Sequence, residues 1–436
     1  MQTSTIFALS SGALPSGVAV VRVSGPDSRR AIEALCGALP EPRKLAVRKL
    51  AAADGSLLDR GFVAFFPGPA SFTGEDCAEF HVHGSRAVVA ALLAQLGSLA
   101  GFRQAEAGEF ARRAFVNGKL DLTEAEALSD LIVAETEAQR RLAAANASGR
   151  QRVLYEGWRA RLLHARAMIE AELDFADEGD VPGSVAAQVW QDLGKLQVEI
   201  GRHLSGFEAA EVVREGFKVA ILGAPNAGKS SLINRLAMRD VAIVSDEPGT
   251  TRDLIEVAMD IGGAKIVVTD TAGIRAGAGR VEAMGIERAR QAAAEADLVL
   301  ALEDMADPVD FDLPLEVPVL RVGTKGDLVA GPDGAYDVAI SATTGAGIDI
   351  LLAEIARRAR ERSVPAEAGI VPTRQRHVEL LRAAEAALSE ALDPAPGLEL
   401  RAESLRVAST EIGRVSGSVD VEDMLDLIFS EFCIGK

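Results

Sequence analysis

The chain has 436 residues, a formal net charge of −18 and a hydrophobic fraction of 48%. A chain of this length predicts two or three domains, and its composition excludes a disordered protein. The acidic balance argues against a broad basic surface for nucleic acid, so that any contact with RNA would need a local patch or a partner.

The cysteines and the apolar runs predict a cytoplasmic protein without membrane association. Cys36, Cys77 and Cys433 lie far apart and lack the spacing of a zinc site or a disulfide framework. The amino terminus carries no basic segment before an apolar one, and no apolar run approaches the length that crosses a bilayer.

Residues 1–118 predict an α/β or α+β domain. Strand-like runs at 17–23, 61–66 and 77–83 alternate with helical patterns such as 87–99, and glycine and proline punctuate them.

A helical region is predicted next, over residues 119–212. Thr123 and Glu126 have the spacing of a capping box at the start of one helix. A second amphipathic helix is predicted over 153–173, because apolar residues recur there at helical intervals.

The most informative motif is a phosphate loop of the pattern GxxxxGKS, from Gly223 to Ser230. A strand-like run at 217–222 precedes it and a helical run at 231–236 follows, so the turn presents several backbone N–H groups to one anion. Lys229 would reach the β- and γ-phosphates of a nucleoside triphosphate, and the Ser230 hydroxyl would ligate Mg²⁺.

Two switch-type motifs follow the phosphate loop in the order expected of a GTPase. Thr251, in the sequence GTTRD, could complete the Mg²⁺ shell. Asp270 ends a strand-like run at 264–269 and could hold the ion through water, while the N–H group of Gly273 could meet the γ-phosphate.

Two base-recognition motifs then select guanine. Asp327 of a TKxD sequence could accept hydrogen bonds from the ring N–H and the amino group of guanine, and Lys325 could pack its stem over the base. Ser341 and Ala342 offer a backbone N–H to the guanine oxygen. Thr324 stands where the usual NKxD motif has Asn, but a hydroxyl could still tie the base loop to the phosphate loop. Five motifs in series predict a GTPase.

The chain becomes helical again after the G domain, with helices predicted over 375–392, 398–415 and 421–432. Helices on both sides indicate that a Ras-like G domain with a doubly wound sheet, residues 213–366, is inserted into one helical domain formed by 119–212 and 367–436. The alternative is two unrelated helical pieces. Insertion is favoured because two or three helices alone bury little apolar surface.

Over its whole length, the chain resembles the MnmE (TrmE) family of tRNA-modification GTPases. The resemblance rests on the phosphate loop with Asn226, on GTTRD and DTAGIR, on the helical flanks and on the terminal FCIGK, which is the most specific piece. In the amino-terminal part it includes residues 71–76, 83–84, 108–110, 113–115 and 117–122.

The resemblance implies an amino-terminal domain that binds folate and forms a homodimer, a discontinuous helical domain and an inserted G domain. It implies a partner, the FAD-carrying protein MnmG (GidA), and tRNA as the substrate. Together the two proteins would add an aminomethyl or carboxymethylaminomethyl group to C5 of the wobble uridine. The one-carbon unit would come from 5-formyl- or methylene-tetrahydrofolate.

The same resemblance implies how GTP hydrolysis is activated. Ile274 stands where Ras-like proteins carry the Gln that orients water, and the resemblance gives this role to Glu282, which the pattern alone makes an exposed residue at a helix start. A potassium ion would replace an arginine finger when two G domains meet. Its implied ligands are Asn226, Ser245, Glu247 and Thr250. The full set predicted to bind GTP is Asn226, Ala227, Gly228, Lys229, Ser230, Ser231, Ser245, Thr250, Thr251, Asp270, Thr271, Ala272, Gly273, Thr324, Lys325, Asp327, Ser341 and Ala342.

For the folate, the resemblance implies Arg22, Glu79, Lys119 and Lys436. A folate needs a donor and acceptor set for its pterin, an apolar slot, and a cation for its glutamyl tail. Lys436 is the last residue, and the apolar run at 429–434 before it predicts a tail that docks on the protein.

Two alternative functions remain open from the sequence. One is a regulatory or ribosome-assembly GTPase without modification chemistry, which would explain neither FCIGK nor the folate-type amino terminus. The other is a folate-dependent methyl-transfer enzyme that uses a G domain for regulation, although residues 1–118 show no full set of acids and bases.

Overall fold

The computed structural model describes residues 4–174, 183–239, 242–243, 255–270, 291–309, 317–329, 334–419, 421–430, 432 and 434–435. The chain divides into two compact units. The first contains residues 1–129, 152–159 and 410–436, and the second contains 130–151 and 160–409. The four-part division expected from the sequence stays a prediction.

The first unit is built on a six-stranded mixed sheet with the order β3-β4-β5-β2-β1-β6. Neighbouring strands run antiparallel except β1 and β6, which are parallel. The strands are β1 (Thr5–Leu9), β2 (Ser16–Ser24), β3 (Ala46–Ala51), β4 (Leu57–Phe66), β5 (Cys77–Gly84) and β6 (Phe102–Gln104). The three strand-like runs predicted in this region fall inside β2, β4 and β5.

Helices cover one face of this sheet. They are α1 (Ser28–Cys36) and α2 (Arg86–Gly97), while α3 (Glu109–Val116) follows β6 in the chain. Alternate residues of β2 such as Val21 and Val23 point into the resulting core, where they join Ile32 of α1 and Leu92 of α2. The other face of the sheet therefore presents the intervening residues.

The second unit contains a seven-stranded sheet with the order β13-β12-β11-β7-β10-β9-β8. It is parallel from β13 to β10, and β9 and β8 continue it as antiparallel strands. The strands are β7 (Phe217–Gly223), β8 (Ala242–Ile243), β9 (Ile255–Ile261), β10 (Ala264–Asp270), β11 (Leu298–Asp304), β12 (Val319–Thr324) and β13 (Val338–Ala339).

Both faces of the seven-stranded sheet are covered, as expected of a doubly wound fold. Residues of α9 (Lys229–Ala237) and α10 (Ile348–Ala368) pack on one face around Ile221 and Leu300. Ala293 and Ala296 pack on the other. Burial on both sides explains why the central strands are almost continuously apolar, which made them predictable from the sequence.

The remaining helices belong to the predicted helical regions. They are α4 (Leu122–Val133), α5 (Glu137–Asn146), α6 (Arg150–Asp174), α7 (Gly183–Leu204), α8 (Phe207–Glu215), α11 (Gln375–Leu392), α12 (Leu398–Ser416) and α13 (Glu422–Ser430). The helix predicted over 153–173 lies within α6, and the one predicted over 375–392 coincides with α11. No described helix is long and apolar enough to cross a membrane.

The capping box predicted at Thr123 and Glu126 is wrong. Helix α4 begins at Leu122, and the reciprocal cap joins Asp121 and Glu124: the Glu124 N–H donates to Asp121 Oδ1 at 2.7 Å, and the Asp121 N–H donates to Glu124 Oε2 at 2.8 Å. Asp caps helices as well as Thr does, and it too stands three residues before a Glu. Thr123 instead lies buried within the first turn.

Helix α5 contacts the G-domain sheet within the second unit. It has a capping box between Thr136 and Gln139, and the Gln139 amide donates to the carbonyl oxygen of Arg214 at 2.8 Å. Glu135 forms an ion pair of 2.7 Å with Lys265 of β10. The chain that precedes the G domain is thereby attached to the hairpin of β9 and β10.

Candidate functional site

The phosphate loop lies between the end of β7 and the start of α9. Gly223 and Gly228 have φ angles of 155° and 91°, and a Cβ atom on Gly223 would lie 2.3 Å from the carbonyl oxygen of Leu302. Glycine is therefore required at Gly223 both for its backbone conformation and for space. Because α9 begins at Lys229, the N–H groups of its first turn lack helical partners and face the loop.

The Lys229 ammonium group is held within the phosphate loop by the loop's own carbonyl groups. It donates to the oxygens of Gly223 and Ala224 at 2.7 and 2.8 Å. Asn226 has a φ angle of 68°, and Asn226 and Ser230 are both exposed. An exposed amide oxygen and an exposed hydroxyl at this position are hard donors of the kind that cations such as K⁺ and Mg²⁺ take.

The base loop is attached to the phosphate loop by the residue that departs from the usual motif. Thr324 ends β12 and is only 4% exposed. Its hydroxyl lies 2.9 Å from the carbonyl oxygen of Ala227 and 3.2 Å from that of Glu303. The predicted tie by a hydroxyl is therefore present in the structure.

Lys325 and Asp304 form an ion pair beside this tie. Lys325 has a φ angle of 58°, and its ammonium group donates to Asp304 at the end of β11. The hydrogen bond from Lys325 is the main cause that lowers the pKa of the Asp304 carboxyl below its ordinary value. Asp327 lies exposed in the turn that follows, available to a base.

The loop with Ser341 and Ala342 follows β13. Ser341 is buried, and its hydroxyl accepts a hydrogen bond from the N–H group of Thr344 at 3.1 Å. The Gly326 N–H in the base loop donates to the Ile340 carbonyl oxygen at 3.0 Å. The phosphate loop, the base loop and this loop follow the carboxyl ends of β7, β12 and β13, the edge at which ligands bind to parallel sheets.

Several predicted site residues lie outside the described residues. They are Ser245, Glu247, Thr250, Thr251, Thr271, Ala272, Gly273, Glu282 and Lys436, together with the side chain of Asp270, whose backbone ends β10.

Two of the predicted folate residues are neighbours in the six-stranded sheet. Arg22 of β2 and Glu79 of β5 are cross-strand partners, and Arg22 Nε and Nη2 donate to Glu79 Oε1 at 3.2 and 3.1 Å. A hydrogen bond with His81 and the charge of Arg22 lower the pKa of Glu79. The Arg22 guanidinium carbon lies 5.2 Å from the ring centre of Phe72 and 5.9 Å from that of Phe110.

Lys119 is exposed after α3 and lies beside the loop that carries Phe72. A Cβ atom on Gly74 would lie 3.3 Å from Lys119 Cγ, so the lysine stem runs along the loop at 71–76. Phe72, Phe110 and Gly74 lie in the segments that carried the family resemblance. No role for them could be predicted from the sequence, because only the fold brings them beside Arg22 and Lys119.

The carboxyl-terminal tail docks on the first unit, as the apolar run at 429–434 predicts. Ile434 forms a β-bridge with Ala107, and the Ser10 hydroxyl donates to the Gly435 carbonyl oxygen at 2.8 Å. Ile434 also lines a cavity of about 440 Å³. The other lining residues are Phe7, Ala8, Leu9, Ser11, Gly12, Ala13, Leu93 and Gln104.

A strand–loop–helix phosphate site joined to a TKxD base loop on a doubly wound sheet defines a P-loop GTPase. The family model of the MnmE helical domain matches residues 122–433, and the model of the GTP-binding protein TrmE N-terminus matches residues 5–119. The chain belongs to the MnmE family of tRNA modification GTPases.

Individual relatives agree with this assignment. Over 434 residues the chain is 58% identical to the tRNA modification GTPase MnmE of Chelativorans sp., covering 99% of this chain and 98% of that protein. It is 59% identical over 440 residues to the protein of the same name from Mesorhizobium japonicum, covering 99% of each. The G domain of the T. maritima FeoB iron transporter is 27% identical and covers 33% of this chain and 98% of its own, at a TM-score of 0.26, which is too low to support a comparison of folds.

Proposed function

We propose that this GTPase acts in tRNA modification together with an FAD-carrying partner of the MnmG (GidA) type. The product would be an aminomethyl or carboxymethylaminomethyl group at C5 of the wobble uridine, and tRNA as substrate supports a cytoplasmic location. The proposal that the protein binds GTP is supported by the hydrogen bond between Thr324 and Ala227, because this bond holds the base loop next to the phosphate loop. Family membership supports the tRNA part.

In this proposal the guanine is recognised by the loops after β12 and β13. Asp327 accepts hydrogen bonds from the ring N–H and the amino group, and the Ala342 N–H donates to the guanine oxygen. Lys229 exchanges the carbonyl oxygens of Gly223 and Ala224 for the β- and γ-phosphates. Ser230 supplies a hydroxyl oxygen to Mg²⁺, which suits its exposed position in the first turn of α9.

The activation of hydrolysis is proposed from the resemblance and from the position of Asn226. Its exposed amide in the phosphate loop can contribute an oxygen ligand to K⁺, with Ser245, Glu247 and Thr250 as the other proposed ligands. When bound, K⁺ would neutralise charge that develops on the bridging oxygen of the phosphates. Glu282 would hold the attacking water through a hydrogen bond.

The folate proposal is supported by the surroundings of Arg22 and Glu79. The pair offers donors and an acceptor to a pterin ring, and the rings of Phe72 and Phe110 supply an apolar wall. Lys119 and Lys436 are proposed to contact the remainder of 5-formyl- or methylene-tetrahydrofolate.

A homodimer through the amino-terminal domain is proposed from exposed apolar residues on one face of the six-stranded sheet. Val20, His81, Phe62 and Val47 are successive cross-strand neighbours on the face away from α1 and α2. Phe62 of β4 and Val47 of the edge strand β3 are adjacent and are 49% and 48% exposed, whereas Val20 and His81 are half-buried. A second copy of the same face would cover Phe62 and Val47.

The experiment that tests the proposal is mass spectrometry of wobble uridines from cells that lack the protein. We expect the C5-modified nucleosides to disappear and to return with the wild-type gene but not with an Asp327→Ala variant. Unchanged nucleosides would contradict the proposal, and an accumulation of ribosomal precursors would then support the ribosome-assembly alternative. Purified protein should also hydrolyse GTP faster in K⁺ than in Na⁺. Equal rates would contradict the proposal that Asn226 binds K⁺.

A further inference from the structure

An ionic network with a buried centre joins β6, the loop at 71–76 and α3 of the first unit through side chains that have no role in the proposed chemistry. Arg113 and Glu109, one turn apart on α3, are only 3% and 4% exposed. Arg113 Nη2 donates to Glu109 at 3.0 Å, and Arg113 Nη1 donates to Glu75 Oε2 at 2.9 Å. Arg103 donates to the other oxygen of Glu109 at 2.7 Å. Two positive and two negative groups therefore balance; the central pair of Arg113 and Glu109 is closed to water, whereas Arg103 and Glu75 are 39% and 22% exposed.

The network continues into the loop at 71–76 through buried hydroxyl groups. The Ser24 hydroxyl donates to Glu75 Oε2 at 2.7 Å and also lies 2.7 Å from the Thr73 hydroxyl. Ser24 and Thr73 are both fully buried. The loop is thus fixed to the end of β2 and to α3 by directional bonds, and directional bonds specify one geometry where apolar packing would tolerate several.

The residues held by this network face the proposed folate site. Phe72 precedes Thr73, Phe110 follows Glu109, and both rings lie within 6 Å of the Arg22 guanidinium carbon.

The same loop is also joined to the segment that carries Lys119. The Asn117 amide donates to the Thr73 carbonyl oxygen at 2.7 Å, and Gly74, with a φ angle of 80°, lies against Asn117 and Lys119. The loop at 71–76 therefore contacts both the part of the proposed folate site that contains Phe72 and Arg22 and the part that contains Lys119.

We propose that Glu75 and Arg113 are positioning residues, which hold the loop at 71–76 so that Phe72, Arg22 and Lys119 form one folate-shaped site. This inference rests on the proposed folate function. Neither Glu75 nor Arg113 needs to touch the folate. Their effect passes through the backbone of the loop and through the ring of Phe72.

The test compares Glu75→Gln and Arg113→Lys with a surface control in the full-length protein. Glu75→Gln keeps the shape but removes the charge, and Arg113→Lys keeps the charge but loses the fork that reaches both carboxylates. The control is Arg29→Ala, which removes an exposed ion pair of 3.1 Å between Arg29 and Asp76 of the same loop. Thr73→Val and Thr73→Ser form a further pair, because only the serine keeps the hydroxyl.

The first readout is equilibrium binding of (6S)-5-formyltetrahydrofolate. We expect Glu75→Gln, Arg113→Lys and Thr73→Val each to weaken it by roughly 10-fold or more, and Arg29→Ala and Thr73→Ser to leave it near the wild-type value. Self-association and GTP hydrolysis should stay unchanged in all five variants. Wild-type affinity in the folded variants would overturn the proposal, as would a loss of affinity that only follows the fraction of unfolded protein.

The second readout needs no folate. Hydrogen–deuterium exchange in the free protein should rise at 71–76 and 117–119 in Glu75→Gln and Arg113→Lys but stay unchanged in β1, β4 and α2. Unchanged exchange at 71–76 would contradict the positioning role. If the wild type binds no folate although the exchange rises as expected, the folate function fails while the control of this loop by Glu75 and Arg113 stands.

Discussion

The hydroxyl of Thr324 donates a 2.9 Å hydrogen bond to the carbonyl oxygen of Ala227, 97 positions earlier in the chain. Both residues are buried, so neither group can exchange this bond for water. The bond joins the proposed base loop to the phosphate loop. In the proposed nucleotide site it would take the place of the Asn side chain of the usual NKxD motif, with a shorter side chain.

Thr324→Val is expected to weaken guanine nucleotide binding by about 10-fold. Valine has nearly the shape of threonine but cannot donate, so the buried Ala227 carbonyl loses a partner at a cost of about 1–2 kcal/mol. Thr324→Ser is the matched control, because it keeps the hydroxyl and should stay close to wild type. Titration with a fluorescent GDP analogue measures the change. Equal affinities of the valine and serine variants would show that the bond does not matter for binding.

Asp304→Asn is expected to weaken GDP and GTP binding several-fold through Lys325. The carboxylate anchors the lysine ammonium group, and the lowered pKa of Asp304 shows that the charged form of this acid is favoured. Without the charge, the lysine stem that should cover the base is less restrained. Asp307→Asn, at an exposed site in the same turn, is the control. A rise in affinity would instead mean that the ion pair competes with the base for Lys325.

Most of the G domain could be predicted from the sequence, because its signals are local. A strand buried on both faces is a continuous apolar run, and β7, β10 and β12 each end in a motif of glycine, serine, threonine or aspartate at fixed spacing. The cap of α4 shows where local reasoning fails. Asp121 and Thr123 both precede a Glu by three residues, and only the structure, in which the helix begins at Leu122 and the Asp121 carboxylate accepts from the Glu124 N–H, shows that Asp121 is the cap.

The surroundings of the amino-terminal site could not be predicted in this way. Ser10 meets Gly435 across 425 positions, and Arg113 meets Glu75 across 38. Neither pair leaves a periodic pattern, since each depends on how the sheet and α3 are arranged. Family resemblance identified the segments, but only the fold shows which side chains contact each other.

His203 is expected to make stability depend on pH in the acid range. Burial lowers its pKa from 6.5 to about 4, and the charge of His377 acts in the same direction. The neutral ring donates from Nδ1 to the Ile370 carbonyl oxygen at 2.9 Å. The unfolded chain binds a proton at His203 more tightly than the folded protein does. The free energy of unfolding is therefore unaffected by His203 above pH 6.5 and decreases as the pH falls towards 4, by ~3 kcal/mol in total.

Thermal unfolding between pH 4.5 and 7.5 tests this expectation. His203→Gln should be less stable than wild type at neutral pH but should lose less stability on acidification. His164→Gln, at an exposed helical site, should follow the wild-type curve. If His203→Gln and wild type lose stability in parallel, the acid sensitivity comes from other groups.

Gly435→Ala is expected to release the carboxyl-terminal tail and to impair tRNA modification while GTP hydrolysis continues. Gly435 has a φ angle of 99°, and a Cβ atom there would lie 2.1 Å from the Leu9 carbonyl oxygen. Because the contact is with backbone, no side chain can move aside to relieve it, and we expect the tail to detach from the first unit. The hydrogen bond from Ser10 to residue 435 and the β-bridge between Ile434 and Ala107 would be lost as well.

The matched control for the tail is Gly12→Ala. Gly12 lines the same cavity as Ile434, but an added Cβ atom there meets nothing within 4 Å. Carboxypeptidase should release the last residues of Gly435→Ala faster than those of the control. The amount of modified wobble nucleosides should fall by roughly 10-fold or more, because displacing parts of an active site by about 1 Å already removes much of its activity. Full modification by a Gly435→Ala protein with a released tail would mean that the docked tail is not part of the site. The GTPase rate separates this outcome from general unfolding, because the nucleotide loops belong to the second unit and the tail to the first.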